Sequence, residues 1–350
     1  MNERLPSRHV VLLGIGHTNA HILRMYGMQG LEDTALTCIS NYNVATYSGM
    51  MPAVLAGQVP PEQMQIDLVR LCSSAGARLV TEAVTGLDPK AQKVIFKHRP
   101  PMPYDALSIG IGSTAARANI DLSHDHVVEI KPMQTFLHRL QQNLEQLQQT
   151  VSGRPLQVAI VGSGAAGVEI AFCLPAFLQN HWKGQFDLSV VTRSSVILAD
   201  ANPATQRLAV AECNRRQISM FTNASINSVQ RDCLKTADGT EIPADIVIWS
   251  TGAAAPQLLS QLQLETDDRG FLLTLPTLQS KTNSQVFAVG DSGTIQQSPT
   301  PKAGVYAVRQ GPVLWENLQR VLSGVPLVTY KPQRGFLQLL NTGDGAAIGQ

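Results

Sequence analysis

Residues 9–20 read HVVLLGIGHTNA, and residues 158–171 read VAIVGSGAAGVEIA. In each, an apolar run enters a glycine-rich turn and then a helical pattern, the sequence form of strand, tight loop and helix. Downstream of the first stretch come TALTCIS, ARLVTEAVTGLD, the turn DPKAQ, KVIFK and YDALSIGIGS. Their counterparts downstream of the second are FDLSVVT, ISMFTNASINSVQ, the turn ADGTE and ADIVIWSTGA. The spacing keeps pace too: Gly14 and Gly162 lie 148 residues apart, Gly112 and Gly252 140. An internal duplication of a βαβ-based unit constrains the fold more than any other feature of this chain.

The expected class is α/β, with two nested Rossmann-like dinucleotide-binding domains. Each holds a parallel sheet and a small antiparallel excursion before its last strand. The expected bounds are 1–125 with 280–350 for the first domain, 126–154 for a glutamine-rich helical linker, and 155–279 for the second. The strand in TNSQVFAVGDSG and the long helix in PKAGVYAVRQGPVLWENLQRVLSG have no counterpart after the second repeat, so they are expected to return to the first domain. The tail YKPQRGFLQLLNTGDGAAIGQ is expected to complete that domain with strands and a turn.

At 44% hydrophobic and 15% charged residues, the chain has material for two cores, and a net charge of +1 gives no reason to expect nucleic acid. No apolar run approaches the ~20 residues of a membrane helix, and the polar start followed by VVLLGIG does not make a signal peptide. A cytoplasmic protein is expected, with peripheral contact on the inner face of the membrane left open. The five cysteines, Cys38, Cys72, Cys173, Cys213 and Cys233, form no CxxC or CxxxxC pair and no metal-ligand pattern with histidine, so buried reduced thiols are expected.

A glycine loop between strand and helix brings backbone N–H groups and the helix dipole to a pyrophosphate. Gly162, Gly164 and Gly167 complete that pattern. Gly14 and Gly16 keep its first two places, and Asn19 fills the third, where it can hydrogen-bond a phosphate or a neighbouring loop. The acidic residue that binds ribose hydroxyls at the end of the second strand is missing from both copies. Ser40 and Asn41 stand there in the first. Thr192 and Arg193 stand there in the second, where the arginine either pairs with a 2′-phosphate, favouring NADPH, or is simply solvated.

With its two loops, the paired YDALSIGIGS and ADIVIWSTGA, and VFAVGDSG in this order, the chain resembles the FAD-dependent pyridine nucleotide-disulfide oxidoreductase superfamily over nearly its whole length. Within it, YSGMMPAVLAGQ, IDLVRL and KAGVYAVRQGPVLWENL are similar to type II NADH dehydrogenases, and more so to the flavoprotein domain fused to selenide, water dikinase. The resemblance implies FAD at the first loop, NAD(P)H at the second, and Asp291 on the ribityl chain. Ile111 departs from the superfamily, which has threonine there. Further cofactor contacts implied are Ser48, Pro52, Val84, Gly112, Gly252 and Ala303. The helix opening near Lys302, Ala303 and Gly304 suits negative charge developing on a flavin, to which Lys302 either adds its own charge or is a surface lysine beside Pro301. Glu169 is implied at the meeting of nicotinamide and flavin, or it is a first-turn glutamate favoured by the helix dipole. Structural or surface roles are expected of His17 and His21.

Disulfide reduction in the superfamily needs a flavin-adjacent cysteine pair, which this chain lacks, and about sixty residues after VFAVGDSG leave no room for a thiol reductase's dimerisation domain. In type II dehydrogenases an amphipathic membrane segment comes after this region, so here it is expected to be absent or to lie beyond Gln350. The expected activity is hydride transfer from NAD(P)H to FAD and then to a small acceptor, a quinone first. The alternatives are a soluble reductase for a selenium or other redox metabolite, and a non-catalytic nucleotide-binding module.

Overall fold

Strand β1 (Arg8–Leu13) is apolar from Val10 onward because both its faces are covered there. In the computed structural model of the chain, which describes residues 5–117 and 119–350, Val10 and Leu12 face a cluster with Ile22 and Leu23 of α1 (His17–Gln29). Val11 and Leu13 face the opposite cluster, with Leu107 and Ile109 of β4 (Ala106–Ile109). With β2 (Thr34–Ser40) and β3 (Arg78–Thr81), these strands form a five-stranded parallel sheet in the order Val286–Ala288, β4, β1, β2, β3. The chain leaves β1 toward β2 and later returns on β1's other side, so the loop after β1 stands where the strand order reverses. That reversal is the usual ligand crevice of such sheets.

The second sheet repeats the first. Its order is β5 (Val127–Glu129), β9 (Ile246–Trp249), β6 (Leu156–Val161), β7 (Phe186–Val191), β8 (Ser219–Phe221), again all parallel. The register is preserved: Leu13 pairs with Ile39 and Ile109, and Val161 pairs with Val191 and Trp249. The small antiparallel sheets correspond as well. Val84–Asp88, Lys93–Phe96 and Met102–Pro103 match Ile226–Val229, Cys233–Thr236 and Glu241–Pro243, with a register shift at Val84/Gly86 and at Ile226/Ser228. Asp105 accepts the His9 N–H at 2.6 Å, and Asp245, its repeat partner, accepts the Gln157 N–H at 2.8 Å. Each thereby closes the start of its central strand. Asp245 also holds Arg154 through two contacts of 2.6 Å.

Packing divides the chain into two compact units. One comprises residues up to Ala45, Ile66–Thr114 and Ala253–Phe336; the other comprises Thr46–Gln65, Ala115–Gly252 and Leu337–Gln350. The expected bounds shift, since residues 46–65 pack with the second unit and 253–279 with the first, and three further expectations change. The segment 126–154 is not a linker. β5 is an edge strand of the second sheet, and α2 (Met133–Leu147) buries Phe136, Leu140 and Leu144, spaced four apart, in the cluster that holds Val158 and Ile160. Edge strand β5 and α2 are thus the counterparts of Val286–Ala288 and the helix Gly304–Ser323. They were not visible as such because they precede their glycine loop instead of coming after it.

The tail, third, does not complete the first unit. Its hairpin, β10 (Leu339–Asn341) with β11 (Ala347–Gly349), buries Leu340 and Ile348 in the second unit's cluster with Phe172 of α3 (Ala165–His181). Asp344 at its turn accepts hydrogen bonds of 2.9 Å from Arg215, the last residue of α4 (Pro203–Arg215), and from Arg216. Among the described residues, no helix is long and apolar enough to cross a membrane.

Candidate functional site

At the first loop, Gly14 adopts φ +80°, and its N–H bonds Ile39 O at 2.9 Å. A Cβ on Gly14 would lie 2.6 Å from Gly110 O, so only glycine lets the turn close. Gly16 caps α1 in extended conformation with no side-chain cap, leaving the first N–H groups of the helix for an anion.

Asn19 does not join them. Its side chain is fully buried and donates to Gly14 O at 2.7 Å, while its Oδ1 accepts Ser108 Oγ at 2.6 Å. It therefore ties helix to loop and strand, the second of the two roles open to it.

The second loop reaches the same end by a different fit. Gly162 has φ +112°, with its Cβ position 2.2 Å from Ser250 O, and a Cβ on Gly167 would lie 1.9 Å from Gly162 O. Gly164 caps α3, again with no side-chain cap. Helix and loop meet backbone to backbone here, whereas a carboxamide spans the gap in the first unit. The facing strand residue compensates. Gly110, whose Cβ position is 2.8 Å from Asn19 Nδ2, stands where the second copy has Ser250, and Ser250 Oγ lies 3.5 Å from the Cβ position of Gly167. Large faces small in both copies, with the places exchanged.

At the strand ends, Ser40 Oγ accepts the Tyr42 N–H at 3.1 Å and Asn41 is exposed. Thr192 is buried, its Oγ1 accepting Ser194 N at 3.2 Å. Arg193 is exposed, and among the described residues nothing pairs with its guanidinium.

Within the first unit, residues distant in sequence converge beside the first loop. Asp291 accepts Ser113 Oγ at 2.6 Å, Ser292 Oγ accepts Gly112 N at 3.0 Å, and Gly290 N donates to Gln310 Oε1 at 2.7 Å. His17, the first residue of α1, lies against Gly304 at the start of the 304–323 helix, its ring 3.7 Å from a Cβ built there. That helix, capped by Ala303 without a side-chain bond, adds a second N-terminus with open N–H groups. Burial lowers the pKa of His17 while the charge of Asp291 opposes the shift. Sequence reasoning placed Asp291 and Ala303 here but missed Ser113, Gln310 and the position of His17. The residue spacing alone does not bring the latter two to Asp291.

Lys302 is half-buried, with Nζ donating to Gly293 O at 2.7 Å and Thr294 Oγ1 at 2.9 Å and standing 3.9 Å from the centre of the Phe271 ring. Desolvation lowers its pKa to about 8, against the pull of Asp291 and Asp267. The group is therefore a poised cation at neutral pH, turned toward its own strand and ring.

In the second unit, Glu169 lies in the second turn of α3. Its Oε1 accepts the Asn341 N–H of the hairpin at 2.8 Å, and burial raises its pKa despite that bond. Ser48 is half-buried in a tight turn, and Pro52 is buried in the short helix Met51–Leu55 that packs on α3. Val84 begins its strand half-buried against the first unit's core, and Gly252 is exposed, its carbonyl accepting Ala116 N at 2.8 Å. All five cysteines are buried free thiols. Cys38 and Cys72 touch in the first unit's core, where the neighbouring thiol and burial push the Cys38 pKa up.

Each loop thus presents glycines that no other residue could replace without collision and an uncapped helix start at a strand-order reversal, and both fit the pyrophosphate of a dinucleotide. The profile of the pyridine nucleotide-disulphide oxidoreductases matches residues 8–311. The chain is 26% identical over 294 residues to the demethylphylloquinone reductase of Synechocystis, covering 80% of this chain and 70% of that one. It is 23% identical over 330 residues to an NADH dehydrogenase-like protein of Bacillus subtilis, covering 93% and 87%. NDH2 from Plasmodium falciparum, solved with NADH, shares the fold at TM-score 0.83 and 13% identity, over 98% of this chain and 89% of that one. The chain belongs to the pyridine nucleotide-disulphide oxidoreductase family, and it is an NAD(P)H oxidoreductase whose cofactors are FAD and NAD(P)H.

Proposed function

We propose that the protein oxidises NAD(P)H and reduces a quinone, with FAD held at the first loop and NAD(P)H at the second. Bound FAD supplies the uptake of a hydride and its release as electrons, chemistry that no side chain offers. The protein supplies binding, orientation and charge.

The open N–H groups of α1 bind pyrophosphate. Asp291, already holding Ser113, accepts hydrogen bonds from hydroxyls of the ribityl chain. The N-terminus of the 304–323 helix carries a partial positive charge suited to a ring system that becomes anionic on reduction, and Lys302 adds to it when protonated. In the second unit the open start of α3 binds the nicotinamide nucleotide's pyrophosphate, Arg193 takes a 2′-phosphate, and Glu169 orients the nicotinamide end. Gly112, Ala303, Ser48, Pro52, Val84 and Gly252 complete the set of contacts in this reading.

The observation that carries the proposal is the doubled loop: two glycine turns, each opening onto an uncapped helix of 13 or 17 residues, in one chain. The quinone is supported by the Synechocystis relative, named a demethylphylloquinone reductase. A lipid-soluble acceptor would place the working protein at a membrane surface, as a peripheral contact.

An anaerobic visible spectrum tests the scheme. The purified protein should show flavin absorbance, bleach on NADH or NADPH, and recover on addition of menadione. Protein that takes up no flavin after incubation with FAD refutes it. Flavin that bleaches but is not reoxidised by a quinone removes the acceptor and leaves the dehydrogenase.

A further inference from the structure

A single hydroxyl in the first unit joins Lys302 to Asp267. Thr294 Oγ1 donates to Asp267 Oδ2 at 2.7 Å and accepts from Lys302 Nζ at 2.9 Å. A threonine hydroxyl has one proton to give, so with that proton on the carboxylate side its oxygen shows Lys302 only lone pairs. The direction of the chain is therefore fixed: ammonium to hydroxyl, hydroxyl to carboxylate.

The carboxylate is itself held. Its Oδ1 accepts the N–H groups of Arg269 and Phe271, each at 2.9 Å, in a turn where Gly270 takes φ +82° and Asp267 N bonds Phe271 O at 2.8 Å. The strand that follows, Leu272–Thr274, pairs in parallel with Gly293–Ile295, Leu273 opposite Thr294. Asp267, Phe271 and Thr294 thus form one frame, and the long side chain of Lys302 reaches into it.

The frame fits an ammonium in particular. Nζ also donates to Gly293 O at 2.7 Å, and the fully buried Phe271 ring has its centre 3.9 Å away. Two oxygens and a ring face stand ready for the three N–H groups of the charged form. A neutral amine would turn its lone pair toward one of these electron-rich partners. Burial nevertheless lowers the pKa of Lys302, and the Arg269 charge adds to that, while Asp291 and Asp267 oppose it. Of those two carboxylates, Asp291 is engaged with Ser113, and Asp267 is the one that hydrogen bonds aim at Lys302.

We infer that Asp267, acting through Thr294, is a positioning residue for Lys302: it keeps the amine charged and pinned to the frame just ahead of the 304–323 helix. This assignment rests on the proposed function for the use of that charge, and on the first unit's own residues for its position.

Asp267→Asn tests it. The carboxamide oxygen keeps the bonds from Arg269 and Phe271, so the turn survives, but an NH₂ group now donates to Thr294 where Oδ2 accepted, and the negative charge is gone. Thr294→Val removes the link with Asp267 in place, and decides the matter should the first variant not fold. Two quantities are measured against pH: urea unfolding of the cofactor-free protein, and the midpoint potential of flavin in the FAD-loaded protein. In the wild type, the window in which stability rises with pH through Lys302 opens near its pKa of about 8. In both variants it should open at least about one pH unit lower, the scale of one charged hydrogen bond. Lys302→Met should remove it. The pH at which the flavin potential changes slope should move down with the window. Coincident unfolding windows in the wild type and the variants overturn the assignment, whatever the flavin does. A shifted window, with flavin potentials that match at every pH in the wild type, Asp267→Asn and Lys302→Met, upholds Asp267 as the residue that holds Lys302. It then removes Lys302 from the cofactor's surroundings in the proposed function.

Discussion

Asn19 and Gly110 should behave as one unit, and exchanging them for the residues of the second repeat measures the bond between them. Asn19→Gly removes a carboxamide that is fully buried, leaving Ser108 Oγ without its acceptor and Gly14 O without its donor. A stranded buried polar group costs about 1–3 kcal/mol, so this variant, which strands two, should lose about 2–6 kcal/mol. Gly110→Ser adds a Cβ 2.8 Å from Asn19 Nδ2 and 3.4 Å from Val289, in a backbone conformation that other residues adopt freely. Overpacking of that kind costs about 1–3 kcal/mol. In the double variant the new side chain meets empty space where the carboxamide was, as Ser250 meets Gly167. The double variant should therefore be more stable than the sum of the single losses predicts, by at least about 1 kcal/mol, within the range of contacting pairs. Urea unfolding of the FAD-loaded proteins, followed by circular dichroism, gives the three differences. Additivity to within about 0.5 kcal/mol would mean that the two positions do not share the space, and the account of Asn19 as a spacer between helix and loop would be wrong.

Lys302, with its pKa lowered to about 8 in the fold, binds fewer protons than it does unfolded between that pH and its ordinary value near 10.5. Stability of the cofactor-free protein should therefore rise with pH across that window, by about 3 kcal/mol at about 1.4 kcal/mol per pH unit. Lys302→Met should flatten this rise; identical pH slopes in urea unfolding would contradict the buried-cation account. Glu169→Gln keeps an oxygen for the Asn341 N–H but loses the ionisable group, so flavin reduction by NAD(P)H should slow about tenfold with Tm unchanged. Because burial raises the carboxyl pKa, the wild-type reduction rate should fall on acidification at a higher pH than an ordinary glutamate would cause while the variant's stays flat, as stopped-flow measurement at several pH values will show. Arg193→Gln should lower kcat/KM for NADPH about tenfold, the scale of one charged hydrogen bond, and leave NADH within twofold; equal effects on both would make Arg193 a solvated residue.

The duplication was legible because it is written locally: apolar runs that both faces of a parallel sheet require, glycines at fixed offsets, and hairpin turns at matching distances. What was not legible depends on partners far away in sequence. The choice between the two roles open to Asn19 is not legible locally because its compensation, Gly110, lies 91 residues downstream. The glutamine-rich segment looked like a linker because its polar face dominates the composition, while the buried face reduces to Phe136, Leu140 and Leu144. The tail's strands and turn fit either unit by pattern, and it is Leu340, Ile348 and the Asp344 contacts with Arg215 and Arg216 that hold it on the second. His17, read as structural, lies against the start of the 304–323 helix, a position set by how that helix packs on α1.

The two units share a frame, and their divergence is where function separates them. Each sheet has an edge strand followed by a helix that packs on the helix after the glycine loop. In the second unit these are β5 and α2, which arrive before the loop; in the first they are Val286–Ala288 and the 304–323 helix, which arrive after everything else. The late arrival brings something the earlier one does not. Between the strand and the helix lies Gly290–Ser292, which sets Asp291 against Ser113, and the helix opens at Gly304 against His17, at the start of α1. Two uncapped helix starts and a carboxylate thus meet in the first unit, a polarity suited to a cofactor with an anionic pyrophosphate, a hydroxylated chain and a ring that gains negative charge on reduction. In the second unit β5 runs into Lys131, Pro132 and α2, with no acidic residue between strand and helix to match Asp291. A duplicated phosphate-binding frame, finished differently by its edge strand and helix, supports the proposal that FAD sits on one copy and the diffusible nucleotide on the other.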